Sequence, residues 1–268
     1  MQQIILITGA SSGLGKAFAL SLLEAGHIVY GAARRTHEMH DIEDAGGHAI
    51  ALDMTDDASL VACMQRVIGE QGRIDVLINN AGFGLYGSVE ETPIQEARAQ
   101  FEVNLFGLGR ITQLAIPHMR KQGKGRIINI SSMGGKMYLP LGAWYHASKH
   151  ALEGWSDCLR LDLKEHGIDV VIIEPGVIRT GFEEVMLAPM IARSGSGPYG
   201  ALTRKVAQGT ERNYRKGSPP DVVVRLVMKA VHARRPRTRY AGGHLAKPVM
   251  FLRKWFGDRL FDRAIMQA

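Results

Sequence analysis

A chain of 268 residues, 46% hydrophobic and 22% charged, has a globular composition and enough length to bury a sizeable core, which excludes disorder as a description of the whole. No apolar run reaches the ~20 residues a membrane-spanning helix needs, and Cys63 and Cys158 form no CxxC pair, so a disulfide framework and a thiolate metal site have no support. The formal net charge of +7 is read as a solvated basic surface, because no nucleic-acid-binding motif accompanies "ARRPRTRY" around Arg235.

The opening "MQQIILITG" enters a strand at Ile4–Thr8 at once; it leaves no room for a secretory leader and gives the expectation of a cytoplasmic protein. A second short buried strand is expected over residues 27–33. Between the two, residues 14–25 carry apolar side chains at helical spacing and stop at Gly26, as a helix C-cap does. The βαβ alternation continues through "HAIALD", a helix over about 56–71, "IDVLINNAG", helices reaching about residue 121, "GRIINISS", a helix over about 144–166, and "IDVVIIEPG". Six apolar runs separated by helices predict an α/β, single-domain, doubly wound Rossmann fold: a parallel sheet flanked by helices on both faces, with ligands at the carboxyl ends of the strands. Residues 181–218 then loosen into "MLAPMIARSGSGPYG", a Gly-, Ser- and Pro-punctuated loop expected to act as a substrate lid. A helix over about 220–234, a last strand in "RTRYAGG" and an amphipathic segment at about 245–268 complete one dinucleotide-binding and catalytic domain spanning 1–268. The final segment spaces Phe251, Trp255, Leu260 and Phe261 among basic residues. It is read as packing over a pocket rim or a subunit contact, with peripheral contact to a membrane surface as the alternative.

Chemistry enters with "TGASSGLG", where the first apolar run meets the first helical pattern. A Gly-rich turn into a helix offers unpaired N–H groups and the positive end of the helix dipole to an anion. A P-loop is excluded, because Ala10 occupies its first glycine position and Ala17 follows Lys16, leaving no hydroxyl for Mg²⁺. Thr8, Gly9, Gly13 and Gly15 instead form a variant of the dinucleotide turn, in which glycines permit the bend and the approach of a pyrophosphate. His146 and His150 stand four apart, the spacing of a helical zinc pair, but no third ligand accompanies them and no metal is expected.

"TGASSGLG", "NNAG" at 79–82, "SS" at Ser131 and Ser132, "YHASK" at 145–149 and "PG" at Pro175 and Gly176 follow one another in an order that resembles the short-chain dehydrogenase/reductase family of single-domain type, closely over about 4–180 and more weakly beyond. The resemblance implies a nicotinamide cofactor bound by Gly9, Ser11, Ser12, Gly13, Leu14 and Gly15, by Asn80, Ala81 and Gly82, and by Asp53 and Met54 at the adenine. Pro175, Gly176, Val177, Ile178 and Thr180 match the segment covering the nicotinamide. In "GAARR", Ala33 stands where an acid would accept from the ribose hydroxyls, and Arg34 and Arg35 follow. The charge argues for NADP(H) over NAD(H), with Arg34 the principal partner of the 2′-phosphate.

For catalysis the resemblance implies Tyr145 as acid/base, Lys149 as the group that lowers its pKa and holds the ribose, Ser132 as the residue polarising the carbonyl, and Asn104 as the keeper of a water relay. A phenol with a reference pKa near 10 needs a drop of roughly 2 to 3 units to work near neutrality, and an ammonium four residues along the same helix face favours the phenolate. Met133, Met137, Tyr138, Leu139, Trp144, Phe182, Met186, Leu187 and Met190 are the candidate substrate contacts, an adaptable apolar set suited to a lipophilic ketone or secondary alcohol. The stretch "SMGGKMYLPLGAWYHASKHALEG" is similar to sequences around the active sites of hydroxysteroid and retinol dehydrogenases. The expected activity is an NADP(H)-dependent oxidoreductase acting on a steroid-, retinoid- or acyl-like substrate; a 3-oxoacyl-type reductase and an NADP(H)-sensing regulatory protein are the alternatives. The family resemblance also implies a homodimer or homotetramer joined through the helices bearing Asn104 and Tyr145.

Overall fold

Every side chain of strand β1 (Ile4–Thr8) is buried, as the middle of a parallel sheet covered on both faces requires. The computed structural model describes residues 2–267; Met1 and Ala268, the two ends of the expected domain, lie outside the described residues. β1 pairs in parallel with β2 (Ile28–Ala33) on one side, Ile5 opposite Val29, and with β4 (Val76–Asn79) on the other, Ile5 opposite Val76. With β3 (His48–Ala51), β5 (Gly125–Ile130), β6 (Ile168–Pro175) and β7 (Arg239–Gly242) the sheet has seven parallel strands in the order β3-β2-β1-β4-β5-β6-β7. The chain reverses direction across the sheet between β1 and β4, so a crevice opens beyond Thr8 and Asn79. This is the doubly wound fold expected.

Alternate residues of the strands feed two cores. Leu6, Leu77 and Ile127 meet α3 (Asp57–Gln71), α5 (Leu108–Lys121) and α6 (Ala143–Asp162) through Leu60, Val67, Ile111 and Leu152. Ile5, Ile7, Ile78 and Ile128 meet α1 (Gly13–Glu24) and α9 (Asp221–His232) through Phe18, Leu22, Val227 and Val231. Each such aliphatic side chain, fully buried, contributes about 1.5–3 kcal/mol relative to exposure. Asp56 caps α3 by accepting from the Ala58 N–H, and Gly72 ends it at φ +72°, a left-handed turn that favours glycine. The short α2 (His40–Asp44) follows β2, and α4 (Ile94–Phe101) runs into α5 through one π-helical turn, Glu102–Gly107.

The expected loop at 181–218 is instead largely helical. α7 (Phe182–Ser194) and α8 (Gly200–Arg215) form a hairpin that buries Met186, Leu187, Met190 and Ala207 against Tyr86, Leu141 and Tyr145. Pro189 inside α7, and Gly195, Gly197 and Gly200 between the helices, disguise this pair in the sequence. Packing of one apolar face outweighs the hydrogen bond that Pro189 cannot make. The C-terminal segment is two helices, α10 (Ala246–Trp255) and α11 (Gly257–Gln267), parted at Gly257 with φ +70°. Among the described residues no helix is long and apolar enough to cross a membrane.

Candidate active site

The Gly-rich turn is clamped to the end of β4. Thr8 Oγ1 accepts from the Asn80 and Ala81 N–H groups at 3.1 Å each, and the Asn80 side chain donates to the Thr8 and Gly9 carbonyls at 3.1 Å each. Gly9 has φ +71°, and a Cβ on it would stand 2.8 Å from Ala81 Cα; one on Gly15 would stand 2.3 Å from the Gly9 carbonyl oxygen and 2.5 Å from Asn80 Nδ2. Gly15 therefore packs beneath the turn, while Gly9, Ser11, Ser12, Gly13 and Leu14 line the cleft above it. Ser12 makes no side-chain cap and the first turn of α1 holds no acid, so the N–H groups and positive dipole there face the cleft uncontested. A pyrophosphate fits this donor set.

Arg34 and Arg35 both flank the cleft. The Arg35 guanidinium lies 3.4 Å from Ser11 Oγ and 3.5 Å from Ser12 Oγ and pairs with Glu38 at 3.2 Å. Arg34 stands toward Asp53, whose carboxyl is held below the usual range by hydrogen bonds from the Thr55 N–H and hydroxyl and by the Arg34 charge. Asp53, Met54, Asn80, Ala81 and Gly82 line the same stretch of wall, and Pro175, Gly176, Val177, Ile178 and Thr180 line it from the end of β6. Burial pushes the Tyr214 phenol of α8 up, against a smaller pull from Thr180, which stands beside it.

Ser132 leaves β5 in extended conformation and its Oγ accepts from the Gly134 N–H at 3.0 Å, which leaves the hydroxyl hydrogen free to point elsewhere. Tyr145, on the first turn of α6, faces the same cleft. Burial pushes the Tyr145 phenol up, against the pull of Ser132. This differs from the downward shift expected from Lys149. The buried Lys149 ammonium donates to the Ile130 carbonyl at 2.9 Å, and desolvation brings its pKa down to about 8, against the opposing charge of Glu153. Asn104 sits on the π-helical turn, buried, with its carbonyl accepting from the Phe83 N–H and its amide donating to the Phe83 carbonyl and Ser148 Oγ, all at 3.1 Å. Asn104 thus fixes the main chain that follows "NNAG" against α6.

The cleft continues past Tyr145 to a total of about 1360 Å³. That exceeds the roughly 300–1,000 Å³ of a drug-sized pocket and is room for a dinucleotide with a second molecule beside it. Met133, Met137, Leu139, Phe182 and Met186 line this part. Leu187 and Met190 pack behind it in the helical hairpin. Tyr138 and Trp144 are not among the lining residues: the Tyr138 hydroxyl donates to Asp262 Oδ1 at 2.8 Å and its ring meets Phe261 edge-on, because the loop after Ser132 is pinned outward by α11. His146 has both ring nitrogens engaged. Its Nδ1 lies 2.9 Å from the Gly134 carbonyl and its Nε2 accepts from the Leu139 N–H at 3.1 Å, so the buried neutral ring clamps that loop to α6, with its pKa lowered to about 4.

Sequence reading missed Tyr86, whose buried ring centroid lies 5.6 Å from that of Tyr145, and Tyr214, which closes the far side from α8. The C-terminal helices, read as packing over a pocket rim, form a third wall of the cleft through Leu245, Val249 and Leu252 with Ala264, Ile265 and Met266, which that reading did not single out. The helical spacing of Val249 and Leu252 was the available signal.

A family model described as short chain dehydrogenase matches residues 3–189. The chain is 37% identical to a 3-ketodihydrosphingosine reductase from Bacteroides thetaiotaomicron, over 98% of this chain and 96% of the relative. It is 34% identical to an NADPH-dependent 3-dehydrocapnine reductase from Ornithobacterium rhinotracheale, over 96% of this chain and 94% of that one. The crystal structure of a short-chain dehydrogenase from Streptomyces avermitilis superimposes with a TM-score of 0.82 at 31% identity, covering 95% of this chain and 96% of the other.

Proposed function

The chain belongs to the short-chain dehydrogenase family, and from that premise we propose that it is an NADP(H)-dependent reductase of a ketone borne on a long apolar chain. The observation that carries this reading is one continuous cleft, with a pyrophosphate-type donor set at one end, the Ser132–Tyr145 pair at its centre and an apolar wall from three separate segments at the other. Two relatives named for reducing 3-ketodihydrosphingosine and 3-dehydrocapnine, the second with NADPH, support both the substrate class and the cofactor.

NADP(H), when bound, supplies or accepts the hydride. Gly9 to Leu14 would hold its pyrophosphate, and Arg34 and Arg35 a 2′-phosphate, which a carboxylate in place of Ala33 would repel. The chain's own part is the proton. Ser132 Oγ, with a lone pair occupied by Gly134 N–H, directs its hydrogen toward the ketone oxygen. Tyr145 Oη then gives its proton to the developing alkoxide, and its raised pKa keeps that proton in place through neutral pH. Lys149, fixed by the Ile130 carbonyl, has two further N–H donors for a ribose and for the phenolate left behind.

Consumption of NADPH, with NADH in parallel, measured against long-chain 3-keto amines, ketosteroids, retinal and 3-oxoacyl thioesters, tests the reading. Turnover of a long-chain ketone with NADPH preferred is the expected result. Tyr145→Phe lowers kcat by about 10²–10⁴-fold with NADPH affinity unchanged. Preference for NADH overturns the arginine assignment, and full turnover by Tyr145→Phe overturns the proton assignment.

A further inference from the structure

Helix α10 carries apolar side chains on two sides, and the cleft uses only one of them. Val249 and Leu252 line the cleft. Lys247, Phe251, Lys254 and Trp255, at i, i+4, i+7 and i+8, share another face and are all exposed, Phe251 by 58% and Trp255 by 65%. The exposed Phe256 joins them: ring centroids lie 6.4 Å apart for Phe251 and Trp255 and 6.2 Å apart for Phe251 and Phe256. The Lys254 ammonium stands 5.1 Å from the centre of the Trp255 ring. α11 adds the exposed Leu260, Arg259 and Arg263. Five cations, Lys247, Arg253, Lys254, Arg259 and Arg263, outnumber the two acids of this segment, Asp258, paired with Arg253 at 2.7 Å, and Asp262, which accepts from the Tyr138 hydroxyl, so the outward field is positive.

We infer that this face seats on the surface of a lipid bilayer bearing anionic headgroups. Aromatic rings with cations interleaved at helical spacing match the boundary between headgroups and acyl chains: the rings enter the apolar edge while the ammonium and guanidinium groups meet phosphates. Charge decides against a second copy of the chain as occupant. A twofold contact sets a patch against itself, and here it would bring Lys247, Lys254 and Arg259 toward their own counterparts. The inference deepens the reading of a lipophilic ketone substrate and rests on it for its purpose. The opposite side of the seated helix is a wall of the cleft, whose lining also includes the exposed Val185 and Met266, so the proposed bilayer contact would stand beside the site that takes the apolar substrate.

The test is co-flotation of the intact protein with vesicles of phosphatidylcholine alone and of phosphatidylcholine and phosphatidylglycerol in equal parts. Binding to the mixed vesicles, weaker by about tenfold or more on phosphatidylcholine alone and in high salt, is the expected result. Phe251→Ser with Trp255→Ser, and separately Lys247→Glu with Lys254→Glu, each remove it while leaving thermal melting and NADPH affinity unchanged. The inference is overturned if wild type does not float with the mixed vesicles, if both double variants still float, or if light scattering shows a dimer that Phe251→Ser with Trp255→Ser dissociates. Flotation is read without turnover, so failure of the ketone panel and failure of this inference are separately visible.

Discussion

Lys149 holds a charge where water cannot solvate it, and the sign of its shift gives two predictions. Its pKa is lowered to about 8, so the unfolded chain takes up the proton at higher pH than the folded one. Stability is therefore lost as pH falls from the ordinary lysine range to about 8 and stays lost below, a cost on the order of 3 kcal/mol. Lys149→Met should raise the urea-unfolding free energy at pH 7 by about 1–2 kcal/mol, the Ile130 carbonyl losing its donor in exchange, while activity disappears. In the active protein, kcat/KM for ketone reduction should fall as pH rises through about 8, where the ammonium discharges. His146 gives the complementary case. With its pKa depressed to about 4, its contribution is complete above pH ~6.5 and drains away as pH falls toward 4. Glu174, raised to about 7 by burial and the neighbouring Glu153, slopes the other way over the same range, so the measurement that isolates His146 is the difference between wild type and His146→Gln in urea at pH 7 and pH 5. Their stability gap should narrow by about 1–3 kcal/mol at the lower pH.

At the scale of elements, the π-helical turn between α4 and α5 does what an unbroken helix would not. It turns Asn104 inward and brings Gly107 so close to the segment after β3 that a Cβ there would stand 2.1 Å from the Met54 carbonyl oxygen. Gly107→Ala should cost about 1–3 kcal/mol in thermal unfolding and weaken NADPH binding, because Asp53 and Met54 must move with that carbonyl. Nothing in "EVNLFG" announces the extra residue, since each side chain is compatible with α-helix. The strands were legible for the opposite reason: burial on both faces writes the continuous apolar runs Ile4–Ile7 in β1 and Val76–Ile78 in β4, which no helix face would need. The Gly-rich turn was legible because a backbone at φ +71° packed against Ala81 admits little but glycine. Tyr86, Tyr214 and α7 were not, because their place depends on what folds back over them, and local pattern carries no record of that. Tyr138 shows the same limit: its neighbours in sequence line the cleft, yet its partner is Asp262, far along the chain.

Across the whole molecule, the sheet supplies one half of the cleft and the end of the chain supplies much of the other. Phe261 is fully buried, its ring 5.1 Å from that of Tyr138, and the Arg253 guanidinium lies 5.1 Å from the Tyr138 ring and 5.8 Å from the Phe261 ring. This cluster pins the middle of α11 to the loop after Ser132, while its C-terminal end reaches α8, where the Lys205 ammonium meets the Met266 carbonyl. Neither contact joins the two cores around the sheet. Removing the Phe261 ring costs about 3–5 kcal/mol locally, enough to release a helix of this length without unfolding the strands. Phe261→Ala should therefore raise KM for a long-chain ketone by about tenfold or more while kcat/KM for a short ketone, which needs only Ser132, Tyr145 and the cofactor wall, stays within about twofold. Parallel kinetics on the two ketones, with NADPH affinity as control, check this. An equal loss on both would mean that α11 supports the catalytic loop itself, through Tyr138 and the turn at Met133, rather than the wall that holds the substrate's chain.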